Sequence, residues 1–161
     1  MLAETTEAAA VGFAADEIDQ DAPTRAARLK WVVVVDGSLP AGRAVNAAIC
    51  VAAATSDAVG GMLGDTAVDA DGAAHPGLPW AGCSVLAADS ATLRAVRAKA
   101  AASEGTFVAD MPAAAQHTRV YSEYLDSVGE TAGDALDYYA VSIVGPRNRV
   151  DKIVKKLPLL P

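Results

Sequence analysis

The run Trp31-Val32-Val33-Val34-Val35 constrains the fold more than any other stretch of this chain. Five consecutive aromatic or β-branched residues do not alternate with polar ones, so a strand built from them has no wetted face. Such a strand belongs in a sheet covered on both sides by helices. Asp36-Gly37-Ser38 then turns the chain, and Pro40 and Gly42 lead into an Ala-rich helix over 41–54. That turn lies at the carboxyl end of the strand, where open α/β sheets hold their ligands. Gly42 and Arg43 fall near the helix start, where unpaired amides and the helix dipole favour an anion. The plainer alternative makes Gly42 the relief of a crowded turn and Arg43 a solvated charge.

The rest of the chain supplies partners for that strand. Val45, Ile49 and Ala52 fall at core spacing on the first helix, with Arg43, Asn46 and Cys50 on a neighbouring face. Asp69-Ala70-Asp71-Gly72 is a hairpin turn signal. It lacks the closing Glu of a calcium loop, so its acids are turn formers. A second strand is expected over 84–87, and a helix over 91–102 with Ser90 as its cap. A third strand spans 106–109 with Asp110 at its carboxyl end, then Pro112, Gln116, His117 and a helix over 120–128. A fourth strand over 138–144 ends at Gly145-Pro146, and a closing helix runs from Arg147 to about Lys156. The expected fold is α/β: a three-layer α/β/α sandwich around a mixed four-stranded sheet. Residues 30–161 form its single domain, and residues 1–29 form a flexible or loosely docked acidic extension.

Composition narrows the function. The 161 residues carry a net charge of −7, which argues against a general nucleic-acid binder. Charge is uneven, however: residues 147–156 hold five bases, Arg147, Arg149, Lys152, Lys155 and Lys156, against Asp151. Cys50 and Cys83 form no CxxC pair, so neither a metal site nor a disulfide framework is expected, and no cofactor motif appears. No apolar stretch is long enough to span a bilayer, and the acidic amino terminus is no secretory signal, so a reducing cytoplasm is the expected compartment.

Two stretches resemble type II peptidyl-tRNA hydrolases. One is the apolar strand followed by Leu39, Gly42-Arg43 and the Ala-rich helix. The other is Ile143 to Leu159, IVGPRNRVDKIVKKLPL, with its Gly-Pro turn and Asp151-Lys152 pair. Asp110 with Gln116 is a third likeness, at a spacing one residue longer than the family's. That family places Lys after Gly, then Gln and His on the helix. Here the corresponding residues are Arg43, Ala47 and Cys50. The whole of 30–160 is similar to a bacterial family catalogued as domain of unknown function 2000, through VVVVDGSLPAGRAVNAA, VDADGAAHPGL, the Asp110–Tyr124 stretch and VGPRNRVDKIVKKLPLL.

The hydrolase resemblance implies an ester hydrolase acting near a phosphate-rich, tRNA-like ligand. Asp110 would activate water, Arg43 would hold an oxyanion or phosphate, and Gln116 and Asn46 would position the acyl group. The residues themselves also admit a non-catalytic domain binding a small anionic metabolite, with Asp36, Ser38, Gly42 and His117 adding polar contacts. A third expectation is a homodimeric interaction module, suggested by Ala-rich helix surfaces and Tyr138-Tyr139. Cys50, set among Ala and Val, is expected to be a small buried hydrophobe.

Overall fold

A computed structural model describes residues 10–161. Strand β1 (Leu29–Asp36) is followed by helix α1 (Ala41–Ala58), the hairpin β2 (Ala67–Val68) and β3 (Ala74–His75), and strand β4 (Ser84–Ala88). Helix α2 (Ser90–Ala101), strand β5 (Phe107–Pro112), helix α3 (Tyr121–Gly129), strand β6 (Tyr138–Pro146) and helix α4 (Arg147–Ile153) complete the order. The main sheet runs β4-β1-β6-β5. β4 pairs parallel to β1, while β6 pairs antiparallel to both β1 and β5. The sheet is therefore mixed, and β1, β4 and β5 all point the same way.

The valine run is central and covered on both faces. Val32 and Val34 pack with Leu93 and Val96 of α2 and Val150 of α4; Val33 and Val35 pack with Ala44, Ala47 and Val51 of α1. All four valines are at most 2% exposed. Burying each contributes roughly 1.5–3 kcal/mol relative to exposure.

α1 presents a different face from the expected one. Its buried residues are Ala44, Ala47, Val51 and Thr55, while Val45 and Ile49 are 53% and 62% exposed. Alanines let the helix close tightly on a sheet already filled by valine, where larger side chains would hold it off. Thr55 enters the core because it has partners there. Its Oγ1 donates to the Val51 carbonyl oxygen at 2.7 Å and lies 2.7 Å from Ser142 Oγ, which accepts from Trp31 Nε1 at 2.8 Å. With the threonine proton committed to Val51, the serine hydroxyl donates to Thr55. All three polar groups are thereby satisfied inside the β1–β6–α1 core.

Of the amino-terminal extension 1–29, expected to be flexible or loosely docked, residues 1–9 lie outside the described residues, and residues 10–28 lie against this domain. Phe13 and Ala27 are buried with Leu29, Val59, Met62 and Val144. Phe13 N donates to the Gly60 carbonyl oxygen, and Arg28 bonds Glu17 and the Gly12 carbonyl oxygen. Gly61 permits this approach: its φ is +72°, and a Cβ there would lie 2.8 Å from the Phe13 carbonyl oxygen. One aromatic side chain thus anchors a segment whose acidic composition suggests none.

Three further boundaries differ from expectation. Asp89, not Ser90, caps α2, its Oδ1 accepting from Thr92 N at 2.8 Å. β5 continues through Pro112, which places Asp110 inside the strand opposite Val141. Pro112 is tolerated there because β5 is an edge strand, with a register irregularity between Met111 and Pro112. Helix α4 ends at Ile153, short of Lys156. Among the described residues no helix is long and apolar enough to cross a membrane.

Candidate functional site

Because β1, β4 and β5 run in parallel, their carboxyl ends and the start of β6 share one end of the sheet. The structure brings several predicted residues together there. Gln116 ends a 3-10 turn, Ala113–Gln116, that follows β5 directly. Its Nε2 donates to the Arg43 carbonyl oxygen at 2.9 Å and to Asn46 Oδ1 at 3.2 Å. These bonds fasten the β5 exit onto the first turns of α1. Both acceptors demand the amide nitrogen, which leaves Gln116 Oε1 buried without a partner. His117 Nε2 lies 2.8 Å from Tyr139 Oη, with the two rings edge to face. Open space surrounds Gly42, so it relieves no crowding.

Asp36 and Ser38 serve the turn itself. Asp36 is buried, and its Oδ1 accepts from Ser38 N at 2.9 Å and Ser38 Oγ at 2.6 Å. They line a hollow with Asp89 and Ser90, two carboxylates together, which disfavours an anion there.

Asp110 is held differently. Its neighbours Ala109 and Met111 pack on the α1 side, whereas Val108 packs on the α2 side. Strand alternation therefore turns Asp110 toward α2. There Arg97 Nε donates to its Oδ2 at 3.1 Å. Arg43 stands on α1, across the sheet, so the expected Asp110–Arg43 pair is not assembled as a pair.

Asp110 does reach a cleft at the open edge of β5. This cleft, about 590 Å³, lies between α1 and the β5–α3 connection. Cys50, Ala53 and Ala54 of α1 form one wall; Thr118, Arg119, Tyr121 and Tyr124 form the other, with Asp110 and Met111 between them. Its volume suits a small-molecule ligand. Cys50, expected to be buried, is exposed because α1 turns its alanine face to the sheet. Cys50 continues the Arg43–Asn46 stripe one turn further along α1, so the stripe leads from the helix start to the cleft. Neither Arg119 nor Arg43 has a carboxylate partner among the described residues. The Tyr124 phenol is pushed above its ordinary range by burial first, then by the Asp110 carboxylate and Tyr121.

Sequence reasoning missed Thr118, Arg119, Tyr121 and Tyr124. The available signal was the i, i+3 tyrosine pair at the start of a helix, whose rings sit 5.4 Å apart. Tyr138, expected at an interface, is 3% exposed and packs in the core. Among the described residues no cluster of three or more His, Cys, Asp or Glu is placed to hold a metal.

Fold and site together define a small α/β domain with a mixed four-stranded sheet and a ligand-sized cleft at one sheet edge. The chain belongs to the family described as protein of unknown function (DUF2000), whose sequence profile matches residues 29–161. No curated protein matches it. Among solved structures it is similar to a protein of unknown function, Atu0240, from Agrobacterium tumefaciens strain C58. The identity is 17%, the TM-score 0.76, and the match covers 82% of this chain and 97% of that one. At that identity the likeness is one of fold.

Proposed function

We propose that this chain binds a small amphipathic anion, an acyl or aromatic group carrying a carboxylate or phosphate, in the cleft between α1 and α3. Arg119 takes the acid group. Ala53, Ala54, Met111 and the two tyrosines receive the apolar part. Arg43, at the far end of the stripe shared with Asn46 and Cys50, raises the local potential for an incoming anion. The observation that carries this reading is Arg119, a cation without a carboxylate partner on the wall of a largely apolar cleft. A guanidinium in such a place gains most from a bidentate acid.

A thermal-shift series tests it, with N-acetyl-amino acids, aromatic carboxylates and nucleoside monophosphates as probes. A true ligand at 100 times its Kd raises Tm by about 5–10 °C in a chain of this size. Arg119→Gln abolishes the rise. No stabilisation by any of the three classes, or an equal rise in the variant, contradicts the reading.

Ester hydrolysis is a second reading, supported by Asp110 on the same cleft wall and by the resemblance to type II peptidyl-tRNA hydrolases. It requires Asp110 to leave Arg97 and meet a water at the cleft. Release of amino acid from diacetyl-lysyl-tRNA, lost in Asp110→Asn, is its expected signature. A preparation that binds the small anion but leaves this ester intact removes it.

A further inference from the structure

At the opposite end of the sheet lies a hollow of different character. It occupies about 380 Å³ where β1 and β4 begin and β6 ends. Its wall carries three cations, Arg25, Lys30 and Arg147, together with Thr24, Gly82 and Ser84. No carboxylate lines it. Of the three cations, only Lys30 has an ion-pair partner among the described residues, Asp151. The Arg147 guanidinium is half-buried, and Nη2 donates to two neutral acceptors, the carbonyl oxygens of Ala27 at 3.2 Å and Thr24 at 3.5 Å. Its Nε is buried with no partner at all.

Neutral carbonyls satisfy N–H groups without cancelling charge. The half-buried Arg147 guanidinium, beside the exposed Arg25 and the Asp151-paired Lys30, is therefore left without a counter-charge of its own. This occurs in a chain of net charge −7, so the local excess of positive charge is not a consequence of composition. A planar fork, an ammonium and hydroxyls around a compact polar space match a tetrahedral dianion.

We infer that this hollow is a phosphate site, formed jointly by the amino-terminal segment through Thr24 and Arg25, by the start of β1 through Lys30, and by the β6–α4 turn through Arg147. It is separate from the cleft beside β5 and does not depend on the function proposed there. The docked segment 10–28 gains a role in it: Arg147 holds the carbonyls of Thr24 and Ala27, and the same residue faces the ligand.

The test is an amide-resolved NMR titration of the full chain with inorganic phosphate at constant ionic strength. Saturable shifts are expected at Arg25, Gly82, Cys83 and Ser84, with half-saturation on the order of 1 mM. Arg25→Gln weakens binding roughly tenfold. Arg147→Lys, which keeps the charge and loses the fork, weakens it as well and guards against a variant that fails to fold. A phosphomonoester such as glycerol 3-phosphate shifts the same amides if the site takes phosphorylated metabolites; a response to inorganic phosphate alone narrows the ligand to the free ion. Shifts that stay linear, that appear equally with acetate, or that persist unchanged in both variants overturn the inference.

Discussion

The cleft beside β5 and the hollow at the opposite end of the sheet both carry cations, and they differ in what surrounds the charge. Beside β5, one guanidinium, Arg119, stands over alanine, methionine and tyrosine. At the amino ends of β1 and β4, three cations crowd a polar space walled by Thr24, Gly82 and Ser84. The first arrangement favours a ligand with an apolar body and one acid group; the second favours a compact anion with little else. The contrast follows from which elements build each place. The cleft forms between α1 and the β5–α3 connection, walled by small and aromatic residues, whereas the polar hollow forms where three chain segments turn.

Each hollow also carries one of the two cysteines, Cys50 in the cleft and Cys83 in the polar space, so thiol chemistry separates them most sharply. Cys83 as a residue is exposed, yet burial of its thiol pushes the pKa up to about 12. At pH 8 its thiolate population is about three orders of magnitude below that of an ordinary cysteine. Mass mapping after brief iodoacetamide treatment is expected to find the label on Cys50. Rapid labelling of Cys83 would break the contrast.

Phe13→Ala separates the two places by stability. Removing this buried anchor is expected to cost about 3–5 kcal/mol, read by denaturant unfolding. The residual folded protein loosens Thr24 and Arg25 while the cleft keeps its ligand. Arg119→Gln acts in reverse. It is expected to weaken the amphipathic anion by about 10–100-fold in calorimetry and to leave phosphate binding at Gly82–Ser84 intact.

The smallest effect is set by acid. The Arg28 guanidinium, helped by the Ala14 amide, holds the Glu17 carboxyl down to about 2. Its folded pKa lies below its unfolded value, so its contribution to docking is present above the unfolded pKa and is lost as pH falls toward about 2. Amide shifts of Ala14 and Phe13 followed from pH 6 to pH 2 check this. Loosening should begin below about pH 4.5, where an unfolded glutamate starts to protonate. A transition centred near pH 6 would exclude Glu17 as its source.

How much of this was legible in the sequence depends on what kind of interaction decides each feature. The valine run announced a doubly covered strand because periodicity reports burial directly. The order of elements followed from turns and helix signals that act locally. The face of α1 did not, because hydropathy ranks Val45 and Ile49 above Ala44 and Ala47, while packing density against a full sheet favours the alanines. Gln116 and Asn46 were expected to serve one site with Arg43; in the structure Gln116 bonds Asn46 Oδ1 and the Arg43 backbone carbonyl, a contact that side-chain reasoning does not reach. Asp110 was expected just past the end of its strand; β5 continues three residues further, to Pro112, so strand alternation fixes the layer its carboxylate faces. Arg119 carried no motif to single it out, and Arg147 stood only as one of five bases in 147–156, since nothing in a single sequence shows which cations lack a carboxylate partner. The anchoring of residues 10–28 rests on Phe13, one aromatic in an acidic stretch.

The most direct test of the cleft is an amide-resolved titration of the full chain with N-acetylphenylalanine, an amphipathic carboxylate. The account predicts saturable shifts confined to residues 50–54, 110–111 and 118–124, abolished in Arg119→Gln. Shifts centred instead on Gly82 to Ser84, or a response that survives loss of Arg119, would contradict it.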